Sequence, residues 1–286
     1  MSDAAKPFAE RFEALRAQRG PFCLNLDPTP QLLSDWGLKD DIWGLRSFCE
    51  RVIDAADRKL SVIKPQSAYF ERFGAAGLEV LSDTIDAIHS LGSLALLDVK
   101  RGDIGSTNAA YADGLMGPDS ALGADALTLH AYLGFAALGP FLDRAAQLGC
   151  GLFPVVLSSN PEGRTLQDAK RSDGLTVAEG LAEEITAENE KRWPGATVGA
   201  VGAVVGVTAK DAEDIVARLP HSLLLAPGLG AQGGTFEDVA RRFAGARERV
   251  LPCSGRGVLR TGPDVKALAS AIAAHCDRTR VALSVD

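Results

Sequence analysis

The run Leu94-Ala95-Leu96-Leu97-Asp98-Val99-Lys100-Arg101-Gly102-Asp103 sets a carboxylate and an ammonium two residues apart at the end of an apolar stretch. On a strand, that spacing points both side chains to one face. Two charges at the mouth of an apolar core are costly unless they are paired and hydrogen-bonded. At about 4 Å and an effective dielectric near 20, one carboxylate stabilises an ammonium by roughly 4 kcal/mol. Such surroundings keep Lys100 charged, as an acid rather than a nucleophile. A structural ion pair has the same spacing, and spacing alone leaves both readings open. Lys64, within Val62-Ile63-Lys64-Pro65-Gln66, either extends its head to solvent or faces Asp98 across a barrel.

Two glycine-rich segments supply a second kind of chemistry. They are Pro227-Gly228-Leu229-Gly230-Ala231-Gln232-Gly233-Gly234 and Ser254-Gly255-Arg256-Gly257. Glycine lets backbone N–H groups approach an anion closely, and the planar fork of Arg256 suits phosphate oxygens. Ordinary tight turns also use glycine, but two such loops after the last two strands of a barrel stand where barrel enzymes commonly hold phosphate. Asp27 and Ser159 end two further apolar runs. His130 does so as well, and reads as a scaffold histidine, while Cys253 reads as core.

The elements that must position these groups alternate along the chain. Strands are expected at Phe22–Asp27, Ser61–Gln66, Leu94–Lys100, Asp125–His130, Leu152–Ser158, Ala200–Val207, Ser222–Ala226 and Val250–Ser254. These runs are continuously apolar, as in strands buried on both faces of a parallel sheet. Between them the spacing is helical. Phe8, Phe12 and Leu15 mark an N-terminal helix within residues 1–20. Leu45, Phe48, Val52, Ile53 and Ala56 mark another, and Leu78, Leu81, Ile85 and Ile88 a third that stops near Gly92. Thr208 and Asp211 resemble a cap before Ile215, Val216 and Leu219. Eight strands alternating with helices predict a single (β/α)8 TIM barrel spanning residues 1–286. An open doubly wound sheet usually follows its first strand with G-x-G-x-x-G, and here Asp27-Pro28-Thr29-Pro30 stands in that place. The connection over 163–194 is longer than minimal and has room for an extra helix.

Composition narrows the partners. The 286 residues are 46% hydrophobic and 23% charged, with net charge −7, which argues against a global grip on nucleic acid or anionic lipid. Five cysteines without C-x-x-C spacing suit a reducing cytoplasm, and four scattered histidines offer no metal-ligand pair. Met1 to Lys6 lacks the apolar core of a signal peptide, and no apolar stretch reaches the roughly 18 residues of a membrane span.

Taken together, these segments resemble orotidine 5′-phosphate decarboxylase, in its longer bacterial subgroup. Asp98-x-Lys100-x-x-Asp103-Ile104-Gly105-x-Thr107 matches the family signature without a gap. Leu24-Asn25-Leu26-Asp27-Pro28, Lys64-Pro65-Gln66, Ser159-Asn160-Pro161-Glu162-Gly163, the Gly228–Gly234 loop and Gly255-Arg256-Gly257 follow in family order. Shorter relatives carry Lys-x-Gly and Ser-His-Pro where this chain has Lys64-Pro65-Gln66 and Ser159-Asn160-Pro161.

The resemblance implies a homodimer with active sites at the interface. It implies an alternating array of Lys64, Asp98, Lys100 and the partner subunit's Asp103. Asp27 would bind the ribose, and Ser159 with the partner subunit's Thr107 the pyrimidine. Gln232, Arg256 and the backbone around Gly228, Gly234 and Gly255 would hold the 5′-phosphate. The implied reaction is loss of CO2 from orotidine 5′-monophosphate to give UMP, without metal or cofactor. Lys100 would stabilise the C6 carbanion and then protonate it. Two rivals remain at this level: a related Mg²⁺-dependent barrel acting on a sugar phosphate, and a catalytically silent phosphate-binding barrel. The intact Asp98, Lys100 and Asp103 set argues against the second.

Overall fold

A computed structural model describes residues 6–230 and 232–284. Residues 1–5, Ala231 of the loop after strand seven, and residues 285–286 lie outside the described residues. Eight parallel strands close on one another in sequence order: β1 (Cys23–Leu26), β2 (Val62–Pro65), β3 (Leu94–Arg101), β4 (Ala126–Leu129), β5 (Gly151–Leu157), β6 (Ala203–Val205), β7 (Leu224–Ala226) and β8 (Val250–Ser254). Closure is direct, since β1 pairs with β2 on one side and with β8 on the other.

The strands are apolar throughout because each face has its own core. Leu94 and Leu96, Leu223 and Leu225, and Leu251 and Cys253 alternate into the barrel interior. Ala95, Leu97, Leu224 and Val250 point the other way, against the helices. Phe8 and Phe12 of the Phe8–Arg19 helix are fully buried among the interior residues and close the N-terminal end. Burying each ring contributes roughly 1.5–3 kcal/mol, and Phe8 meets Phe153 edge-on at 5.9 Å between centroids.

Several expectations shift by a few residues. β3 runs on to Arg101, and β5 begins at Gly151. β6 is only three residues long, against the expected 200–207. The start of that run is tied to β5 by isolated bonds instead, Val201 bridging Leu152 and Gly202 N–H reaching Leu152 O at 2.7 Å.

The Gly74–Ser90 helix buries Leu81, Ile85 and Ile88 but leaves Leu78 42% exposed. Its inward position in the first turn is Gly77, where a Cβ would lie 2.0 Å from Phe70 O, so no larger residue fits. The expected Thr208–Asp211 cap is not made. Asp211 does precede the Ala212–Ala217 helix, but its carboxylate pairs with Arg164 at 2.5 Å, a charged partner that outcompetes local capping. Between β5 and β6 the chain adds a short Arg164–Gln167 helix before the Val177–Arg192 helix, which starts in a capping box of Thr176 and Glu179.

Candidate active site

The C-terminal ends of the strands gather the polar residues. In β1, Cys23 faces the interior core, so Asn25 and Asp27 follow on the same inward side. Asn25 stands directly beside Lys64, its Cα partner on β2. Lys64 is 4% exposed and its Nζ donates to Asp98 Oδ2 at 2.5 Å. Lys100 Nζ pairs with Asp98 Oδ1, and Thr128 Oγ1 donates to that same oxygen at 2.8 Å. Asp98 is thus a buried carboxylate, 5% exposed, clamped between two ammonium groups and a hydroxyl.

Asp98 and Lys100 do face the same side, as their spacing suggests, but not through regular strand geometry. Lys100 has φ +44, a left-handed conformation rare for any residue with a side chain. Its side chain is 39% exposed, so of the two ammonium groups it is the one presented to the mouth.

Electrostatics follow from this clamp. Burial alone would raise the Asp98 carboxyl, but Lys64 and Lys100 outweigh it and hold it well below the usual carboxylate range. Burial would lower the Lys64 ammonium, yet Asp98 and Asp27 outweigh that and hold it above its ordinary value. Burial pushes the Asp27 carboxyl up, with Lys64 pulling the other way. His130 is lowered by burial and by the nearby Lys100 charge, with Asp98 opposing. Beneath the array, burial pushes the Cys253 thiol up to about 12, which leaves it a core residue.

The two glycine-rich loops stand beside this centre. After β7 the backbone turns through positive φ at Gly228, Gly230 and Gly233 (+111, +81 and +90), which L side chains rarely adopt. The loop closes on itself, Gly234 N–H reaching Gly228 O at 3.0 Å and Gly230 N–H reaching Gly234 O at 2.8 Å. Ser159, beyond β5, donates to Gln232 Oε1 at 2.9 Å and so joins the loops after β5 and β7. After β8, Gly255 passes so close to β1 that a Cβ would stand 2.9 Å from Asn25 Cβ and 3.1 Å from Asp27 Oδ2. Arg256 follows at the first position of a short helical turn and is exposed.

Asp103 and Thr107 are placed differently. The Asp103 carboxylate accepts from Ile104 N–H at 2.8 Å, and Thr107 is exposed on the Gly105–Leu115 helix. Among the described residues no hydrogen bond or ion pair joins either of them to Lys64, Asp98 or Lys100. Ile104 between them is 60% exposed, and Tyr132 and Leu133 after β4 are 78% and 55% exposed.

Three residues of the mouth, Asn25, Tyr69 and Thr128, were given no role from the sequence. Asn25 Oδ1 and Asp27 Oδ1 are both buried with no hydrogen-bond partner among the described residues, an expensive state for an acceptor. Tyr69, on the Ala68–Glu71 turn after β2, is half-buried, and its phenol is pushed up by burial and by the nearby Asp27. Thr128 is fully buried. Asn25 and Thr128 are each the one polar residue inside an apolar strand, and that was the available signal.

Comparisons with known proteins agree with this geometry. The family model described as "Orotidine 5′-phosphate decarboxylase / HUMPS family" matches residues 20–271. The orotidine 5′-phosphate decarboxylase of Myxococcus xanthus is 52% identical over 272 residues, covering 94% of each chain. A crystal structure from Streptomyces avermitilis, whose description proposes the same activity, superposes with a TM-score of 0.92 at 43% identity, covering 99% of this chain and 98% of the other. The OMP decarboxylase of Leishmania donovani superposes with a TM-score of 0.77 at 28% identity, covering 96% and 99%.

Proposed function

The chain belongs to the orotidine 5′-phosphate decarboxylase / HUMPS family and acts as a decarboxylase in pyrimidine biosynthesis, and we propose that Lys100 carries the reaction on orotidine 5′-monophosphate without metal or organic cofactor. The observation that carries this reading is the clamp itself: a buried carboxylate holding an ammonium group at the barrel mouth, beside two glycine-rich loops.

The bond between C6 of the pyrimidine and its carboxylate breaks, CO2 leaves, and the electron pair stays on C6. No carbonyl delocalises that pair, so the charge must be met electrostatically. The Lys100 ammonium, already charged and held by Asp98, stands ready to stabilise it and then to give C6 a proton. The neutral amine regains its proton from solvent. Two ammonium groups around one carboxylate make a poor donor set for a cation, which supports a metal-free reaction. Asp27 serves the ribose, Ser159 the pyrimidine, and Gln232, Arg256 and the backbone at Gly228, Gly234 and Gly255 the phosphate. Contacts remote from C6 supply binding energy that the chemical step can use.

A homodimer completes the site in this reading, with the partner subunit's Asp103 and Thr107 entering across the interface. The exposed Ile104 between these residues, with the exposed Tyr132 and Leu133 after β4, supports a covered surface. Among the described residues no helix is long and apolar enough to cross a membrane. The reducing cytoplasm is the proposed compartment, in keeping with five free, buried cysteines.

The test is loss of the orotate chromophore in ultraviolet absorbance, with excess EDTA and with Lys100→Ala in parallel. EDTA-resistant turnover that vanishes in the variant is expected; turnover that EDTA abolishes would favour a Mg²⁺-dependent relative. Mixing Asp103→Ala chains with Lys100→Ala chains should restore activity if sites are shared, whereas a uniformly dead mixture would count against the dimer.

A further inference from the structure

We propose that Thr128 is a positioning residue for decarboxylation: its single hydroxyl ties Asp98 to the backbone of Lys100 and so sets where the Lys100 ammonium stands. The proposal rests on the reading of Lys100 as the proton donor.

It begins with an irregular ladder. β3 and β4 pair in register at Leu96 with Ala126 and Leu97 with Leu127, but the next pair is Arg101 with Leu129. Four steps along β3 therefore match two along β4. The surplus is taken up across Asp98, Val99 and Lys100, and Lys100 falls into the left-handed region. A bulge of this kind re-aims side chains and leaves backbone groups without their ladder partners.

Thr128 replaces the missing partner. Lys100 N–H donates to Thr128 Oγ1 at 3.1 Å, and Thr128 Oγ1 donates onward to Asp98 Oδ1 at 2.8 Å. That same carboxylate oxygen receives Lys100 Nζ, so the bonds form a ring from the Lys100 backbone through Thr128 and Asp98 to the Lys100 side chain. The hydroxyl has no choice of direction, because a backbone N–H can only donate and an ionised carboxylate can only accept. The strongly acidic state of Asp98 agrees with that assignment.

Packing does not require the hydroxyl. Thr128 is fully buried between Leu127 and Leu129, where valine would fill the same volume. What valine could not do is satisfy the Lys100 amide or hold Asp98. The backbone would then relax toward ordinary strand geometry and carry the ammonium with it. Displacement of a reacting group by about 1 Å costs on the order of 100-fold in rate. The groups assigned to phosphate and ribose are carried by other strands, β1, β7 and β8, and among the described residues none of them bonds to the Thr128 hydroxyl, so binding should be spared.

The experiment compares Thr128→Val and Thr128→Ser in turnover of orotidine 5′-monophosphate and in binding of UMP, beside the wild type and Lys100→Ala. Thr128→Val should lose roughly 30- to 100-fold in kcat, with KM and the Kd for UMP within about threefold of wild type. Thr128→Ser, which keeps the hydroxyl, should recover most of the loss. Wild-type kcat in Thr128→Val overturns the proposal, and so does an equal loss in both variants. Loss of folding or UMP binding along with turnover also overturns it, since that marks a general structural role. A wild type without turnover instead sinks the reading of Lys100 beneath it. An inactive Lys100→Ala beside a fully active Thr128→Val sinks only the role of Thr128.

Discussion

At the N-terminal end of the barrel, Asp125 is ringed by Arg11, by His89 Nε2 at 2.9 Å and by Ala95 N–H at 2.8 Å. At the C-terminal end, Asp98 is ringed by Lys64 Nζ at 2.5 Å, by Lys100 and by the Thr128 hydroxyl at 2.8 Å. Both carboxylates are buried, and both are held below their usual range against the cost of burial: Asp98 by two ammonium groups, Asp125 by its hydrogen bond with His89, the Arg11 charge and the Ala95 N–H. The difference lies in what surrounds them. Arg11 also reaches Gly149 O and Lys6 O, so its donors are spread over the scaffold and fasten the N-terminal helix across the barrel floor. At the mouth, the two ammonium groups and the Thr128 hydroxyl together hold more protons than Asp98 can accept, while Asn25 Oδ1 and Asp27 Oδ1 lack donors and Lys100 is held in a left-handed conformation. A saturated cluster fastens the fold, whereas a cluster with donors and acceptors left over is prepared for a ligand. Backbone strain marks the second and is absent from the first.

Substitutions at the two ends should separate these roles. The largest effect is expected from Lys100→Ala, which on the proposed mechanism removes both the electrostatic partner of the carbanion and its proton source. We expect a loss of about 10⁴-fold in kcat, equivalent to roughly 5.4 kcal/mol in the barrier. Denaturant unfolding should change little, because Lys64 still pairs with Asp98. Asp125→Ala should do the reverse. It leaves Arg11 and His89 without their carboxylate and should lower stability by about 3 kcal/mol, read from urea midpoints, while kcat at temperatures where the variant is folded stays near wild type. Comparable activity losses in both variants would break the contrast between a fastening cluster and a working one.

The smallest expected effect is a pH dependence confined to the floor. The hydrogen bond to Asp125 raises the His89 pKa, with burial opposing, Asp86 adding to the rise and Arg11 opposing it. A raised folded-state pKa contributes stability that is fully present below the unfolded value near 6.5 and is lost as pH rises through the folded value. His89 is 38% exposed, so solvent screening limits the contribution to under about 1 kcal/mol. The stability gap between wild type and His89→Asn should therefore narrow as pH rises from the acidic side of neutrality to pH 9. A gap constant with pH would mean that His89 packs there without its charge contributing.

Much of this was legible in the order of residues. Continuous apolar runs announced all eight strands, because a barrel strand buried on both faces has no polar side to show. The residues that end those runs, Asp27, Lys64, Asp98 and Lys100, do converge at the mouth. Leu78 misled because a periodic pattern cannot see that Gly77, with no side chain, holds the inward position. Thr208 and Asp211 misled because a cap competes with partners that are remote in sequence, here Arg164. Asn25 and Thr128 were passed over inside apolar strands, though a lone polar residue in such a run must find a partner or await one.

Local composition and periodicity by themselves determined the barrel, the face on which its chemistry sits and the charged pair at the end of β3, because side-chain alternation and burial are properties of short segments. Only the tertiary structure decided how that pair is held. The bonds from Asp98 to Lys64 and to Thr128 span 34 and 30 residues, and the left-handed turn at Lys100 exists because β4 advances two residues while β3 advances four. Register between strands is set by packing of the whole barrel, and no local pattern encodes it.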